Sequence, residues 1–326
     1  MIRSHHILVA LTAAALLALD MLPAAPAKAA DNSWDGKGSG NWSDATRWSL
    51  GRTPDSTDLV IVGGPSDQTI SLTSPLNQAQ ALTVGSDTGA TITVSSGINT
   101  ALDVAGNLAL GQVGRGVYNL NGGTLSAAGE FVGYTALLTA GVGTLSHTGG
   151  SNNVSGDLAI GTIGNGTYNL SGSGVLTVKG TERVGWFGGI GAVNQSDGVH
   201  TAKRIEIGSD HLGNGSYNLS GNGTLMIETE RIGVSGGAGT FNQSGGLHSV
   251  AIELDIGASG GNGTYKLSGN GLLRGELDIG IGLGTGTFIQ SGGTVQSSLQ
   301  FVGHGAAGPS RKAAARTQWG ACLSAC

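Results

Sequence analysis

The sequence predicts an all-β fold: a parallel β-helix, or β-solenoid, with about 24 residues per coil, preceded by a Trp-rich N-terminal cap. Three observations carry that prediction. The first is a recurring turn-plus-strand motif: YNLNG at 118–122, YNLSG at 168–172 and 217–221, YKLSG at 265–269, with FNQSG at 241–245 and FIQSG at 288–292 midway between neighbours. With Leu145 and Val193 as weaker copies, the anchors are spaced 23 to 27 residues apart, most often 24. A period in that range belongs to stacked repeats, in which each unit buries its apolar face only against its neighbours. The second is an aliphatic residue followed by Gly in every unit, at Leu110, Val132, Ile160, Val184, Ile207, Ile232, Ile256, Ile279 and Val302. An invariably aliphatic site is what a column of inward side chains requires. The third is the lack of any convincing 3.6-residue period after residue 30, with short β-rich stretches such as Thr224–Leu225–Met226–Ile227 between turn residues.

Taken in chain order, residues 1–30 read as a secretory signal peptide. Arg3, His5 and His6 precede an uncharged run from Ile7 to Leu19, and Ala27–Lys28–Ala29 offers a small-x-small cleavage site. That apolar run is too short for a membrane-spanning helix, and the mature chain is expected to have no transmembrane segment. Residues 31–68 carry Trp34, Trp42 and Trp48 on a chain otherwise poor in aromatics and read as a cap over the first coil; the alternative is a carbohydrate-stacking platform. Residues 69–308 are the solenoid, with degenerate early coils around Val84–Gly85 and Thr91–Ile92–Thr93–Val94. From Pro309 the composition turns basic and Ala-rich, so 309–326 reads as a tail with no folded role. Its Cys322 and Cys326 are too close together to staple a fold and too few for a zinc site.

Composition alone misleads here. Gly is 61 of 326 residues and charged residues only 11%, a profile of low-complexity disorder. Glycines that fall at the same place in every unit instead mark turns. The net charge of −5 and the absence of a basic run in the repeats argue against nucleic-acid binding.

Stacking makes columns. Asn119, Asn169, Asn194, Asn218 and Asn242 align one place after the anchor, where amides one coil apart can bond to one another. Two places before the strand-end Gly, Arg183, Glu206, Arg231, Asp255 and Asp278 alternate in sign over four coils, as an outward ion-pair ladder would. A double period near 48 also exists: the site two after the anchor is Leu120, Leu170, Leu219 and Leu267 in one set and His147, Gln195, Gln243 and Gln290 in the other. A four-stranded propeller blade would share that double period, but the strand ending in aliphatic-Gly recurs in every half unit, which favours the solenoid.

The repeats GTYNLSG (166–172), GTFNQSGG (239–246) and ELDIG (253–257), with the opening WDGKGSGNWSDATRWSLGRTPDSTDLVIV (34–62), resemble bacterial autotransporter passenger regions and related exported surface proteins. Such proteins usually carry a C-terminal outer-membrane barrel or sorting segment, which residues 309–326 do not match. The resemblance implies export through a Sec-type signal to the extracellular space or cell surface, with the periplasm as a further destination. It also implies a non-enzymatic role in adhesion or as a structural spacer, with cell-surface glycans or other surface proteins as partners.

The competing reading is a carbohydrate-active β-helix enzyme, a polysaccharide lyase or hydrolase. Its nearest candidates are Glu253, Asp255, Glu276 and Asp278, because ELDIG recurs one period apart and stacks four carboxylates that could serve as acid/base groups or bind calcium through oxygen. A solvated outer face is the plainer account of them. His200 and His248 fall at equivalent sites two coils apart, too far for a pair. No nucleophile elbow, phosphate loop or GGxGxD calcium repeat is found, so no catalytic residue, metal or cofactor is expected.

Overall fold

The computed structural model describes residues 29–135, 141–210 and 212–297 in full, and the backbone alone of 300–302 and 314–319. Residues 1–28 of the expected signal peptide, Cys322 and Cys326 lie outside the described residues. What is described is a parallel β-solenoid of about 11 turns, and none of its helices is long and apolar enough to cross a membrane.

One coil shows the plan. Asn165–Leu170 forms the anchor strand, a turn follows, and Val175–Trp186 runs on as a longer strand that breaks register between Val178 and Thr181. That break is a bend, so each coil presents three strand segments. Each pairs in parallel with its counterpart one coil on: Tyr168 with Val193, Leu176 with His200, Val184 with Ile207. A propeller is ruled out, because the pairing joins every 24-residue unit to the next in the same direction.

The aliphatic column exists as a single stack. Val184, Ile207, Ile232, Ile256 and Ile279 are in register and buried. The Gly that follows is needed for the turn. Gly233 has φ +67°, and a Cβ there would sit 2.1 Å from the Asn262 carbonyl oxygen, so both conformation and space exclude a side chain. The anchor aromatics stack along the axis. Tyr217 and Phe241 stack with nearly parallel rings 5.0 Å apart, Phe241 and Tyr265 4.8 Å, matching the spacing of paired strands.

The amide column forms as expected. Asn194 donates to Asn169 at 2.9 Å, Asn218 to Asn194 at 2.8 Å and Asn242 to Asn218 at 2.8 Å. The ion ladder forms in two rungs, Arg183 to Glu206 at 3.6 Å and Arg231 to Asp255 at 3.1 Å. Its outward placement needs one correction: Asp255 is buried, 4% exposed, because the stacked Arg231, Glu253 and Asp278 cover it.

At the N-terminal end, Ala30–Ser33 pairs in parallel with Asp58–Val62, and the three tryptophans fold onto the first coils. Trp34 meets Trp48 at 5.1 Å and Trp42 meets Trp48 at 4.8 Å, both edge to face. All three are buried, which fits a cap and removes the carbohydrate-platform alternative, since no face is left for a sugar. Asp58, fully buried, is held by Arg52 at 2.6 and 2.7 Å. Within the stretch expected to be an unfolded tail, Ala314–Trp319 pairs in parallel with Thr285–Gln290; the rest of that stretch lies outside the described residues.

Candidate functional site

Two clusters of titratable groups stand out, one on the outer face and one inside. The outer one contains three of the four predicted carboxylates. Leu254 to Ile256 pairs with Leu277 to Ile279, so Asp255 and Asp278 stack one coil apart, and Glu253 closes the group: one oxygen from each lies within 4.8 Å of the others. Glu276 is not brought into that group; its backbone carbonyl accepts from Leu254 N at 3.0 Å instead, and its side chain is half-buried nearby. Burial, reinforced by the neighbouring carboxylates of Glu253 and Asp278 and opposed by Arg231, pushes Asp255 up to about 7. A carboxyl whose proton is held up to about pH 7 is able to donate it near neutrality.

The inner cluster was missed at the sequence level and is more extensive. Glu130, Glu182 and Glu230 each sit two residues before the aliphatic column and so, by strand alternation, point inward; all three are buried. Opposite them, one coil on, stand Asn152, His200 and His248, equally buried. His200 Nε2 lies 2.9 Å from Glu182 Oε2, and His248 Nε2 lies 3.0 Å from Glu230 Oε2. The remaining bonds fix the tautomer. Gln195 Nε2 donates to the carbonyls of Gly198 and Thr224, so its Oε1 accepts the Tyr217 hydroxyl proton at 2.6 Å. The phenol oxygen must then accept from His200 Nδ1–H at 2.9 Å. Nε2 and the carboxylate lie at ion-pair distance, and no hydrogen bond joins them. The set Gln243, Tyr265, His248 and Glu230 repeats this bond for bond.

These layers explain the 48-residue double period. A Tyr-and-Glu coil alternates with a Gln-and-His coil, and each set of partners runs over three successive coils: Glu182, then Gln195 and His200, then Tyr217. The first copy is a variant. His147 Nε2 donates to Gly150 O at 3.1 Å and its Nδ1 accepts from Tyr168 at 3.0 Å, while Asn152 donates to Glu130 Oε2 at 3.0 Å. Where the layer ends, both partners leave together: Leu277 takes the place of the Glu and Val295 the place of the His. Burial, opposed by the Asn152 hydrogen bond, pushes Glu130 up to about 7. Burial and the adjacent glutamates hold the Tyr168 and Tyr217 phenols well above their ordinary range.

A stability prediction follows from Glu130. Its carboxyl holds a proton more tightly folded than unfolded, so its contribution is fully present below about pH 4.5 and is lost as pH rises through about 7, amounting to about 3 kcal/mol. Glu130→Gln is expected to remove that part of the pH dependence. Denaturant midpoints from pH 4.5 to 8 would read it, and an unchanged profile would contradict the assignment.

The inner groups have no solvent access, so they organise the core and cannot meet a substrate. The fold and these clusters define a parallel β-solenoid with a layered polar core. Comparison with protein-family models, curated proteins and solved structures found no match.

Proposed function

We propose that this chain is an exported, non-enzymatic β-solenoid, similar in kind to an autotransporter passenger, that serves at the cell surface in adhesion or as a structural spacer. The observation that carries the reading is the continuity of coil-to-coil ladders. Amides, aromatic rings, the aliphatic column and the buried Glu–His layers all link one coil to the next. Such linkage resists bending and local opening, properties that suit a stalk or display rod rather than a moving machine.

The outer carboxylates favour a second reading, a carbohydrate-active enzyme, because Asp255 at about 7 beside Glu253 and Asp278 has the makings of an acid/base pair. The two readings separate on one assay. Purified mature protein incubated with pectin and alginate is expected to release no unsaturated or reducing ends. Release that disappears in an Asp255→Asn, Asp278→Asn variant would establish the enzyme instead. Beads coated with the protein are expected to adhere to cells bearing surface glycans, and beads that do not adhere would leave only the spacer role.

A further inference from the structure

Three successive coils share a concave corner at the bend between their second and third strand segments. Val178, Ala202 and Ile227 floor it, in register and nearly fully buried. Together they line a groove enclosing about 410 Å³, with Lys179 and Lys203 along one side, and it continues into a second hollow of about 310 Å³ that reaches Arg204.

The lysines are the informative part. They occupy the same place on adjacent coils, both exposed, and neither forms an ion pair with any described residue. Like charges side by side on neighbouring strands destabilise a sheet. The acidic residue of the lining, Glu228, stands on the next coil beside Lys203, and with Lys179, Lys203 and Arg204 the groove and its extension keep a net positive charge. The arrangement calls for an anion from outside.

The groove also says what kind. It runs along the solenoid axis, so its lysines repeat at the strand spacing of about 4.8 Å, close to the interval at which sugar rings repeat along a linear polysaccharide. Met226, 40% exposed, and the lysine methylenes offer apolar surface to the C–H faces of the rings, and the Thr177 and Thr201 hydroxyls can bond to theirs. At the next coil Glu228 takes the lysine position and ends the basic stretch.

We propose that this groove binds a linear polyuronate, one sugar per coil, with carboxylates on Lys179 and Lys203. The proposal rests on the surface-adhesion reading and names the class of glycan it engages.

The test is calorimetric titration of the mature chain with hexagalacturonate at low salt, beside the fully methyl-esterified hexamer. The acid is expected to bind, with affinity falling as salt rises, and the ester to bind about tenfold more weakly, the loss of two exposed charge contacts. Lys179→Gln with Lys203→Gln should lower affinity for the acid by the same factor without lowering the melting temperature, since both side chains are exposed and their mutual repulsion is relieved. Absence of binding, or equal binding by the double variant, would overturn the proposal. If the hexamer does not bind while coated beads still adhere to cells, the groove assignment fails and the adhesion reading stands.

Discussion

Ile232→Asp is expected to cost at least about 4 kcal/mol, enough to open the central coils. Ile232 is fully buried and lies between Ile207 and Ile256 in the aliphatic column. A carboxylate there would have aliphatic carbon above and below it along the axis. Because each coil contacts only its neighbours, the damage should spread outward from that point. Hydrogen exchange should show protection lost first in coils 207 to 256. Met226→Asp provides the control: Met226 is exposed in the same strand and should change stability by no more than about 0.5 kcal/mol. Equal costs at the two positions would mean that the inward and outward faces are misassigned.

The second large effect concerns the buried pairs. His200→Val leaves the Glu182 carboxylate buried with no partner and is expected to cost about 3–5 kcal/mol. Glu182→Leu removes the carboxylate beside a buried imidazole nitrogen and is expected to cost about 1–3 kcal/mol. The double variant Glu182→Leu, His200→Val should be markedly more stable than the sum of the two, because it reproduces a solution the chain already uses at Leu277 and Val295. A double-mutant cycle by urea denaturation measures the coupling. Simple additivity would show that Glu182 and His200 do not act as a unit.

Most of the architecture was legible in the sequence, because a solenoid writes its geometry as a period. The aliphatic-Gly landmark holds at every coil because Gly is required by the turn and an aliphatic residue by the column. The polar core was legible in principle and was overlooked for a definite reason. His200 was compared with His248, two coils away, whereas its partner Glu182 lies one coil back on another strand segment. The overlooked signal is the period of two: a residue two places before Val184 shares its face, which puts Glu182 inside. Of the four outer carboxylates expected to stack, Glu253, Asp255 and Asp278 come together and Glu276 does not; the burial of Asp255 depends on how Arg231, Glu253 and Asp278 pack over it, and a repeat pattern does not encode that. The groove beside Lys179 arises from a bend within one strand, which leaves no compositional trace.

The coils stack in sequence order along one axis. Thr144 and Thr287 occupy the same column six coils apart, through Thr167, Ala192, Ser216, Thr240 and Thr264. Spin labels on cysteines introduced at Thr144 paired in turn with Ser216 and with Thr287, in a chain with Cys322 and Cys326 replaced by Ser, allow pulsed electron resonance to measure that axis. The separations are expected to grow in proportion to coil number, to about 14 Å and about 29 Å at about 4.8 Å per coil. Separations that level off or shorten between the nearer and the farther pair would contradict it.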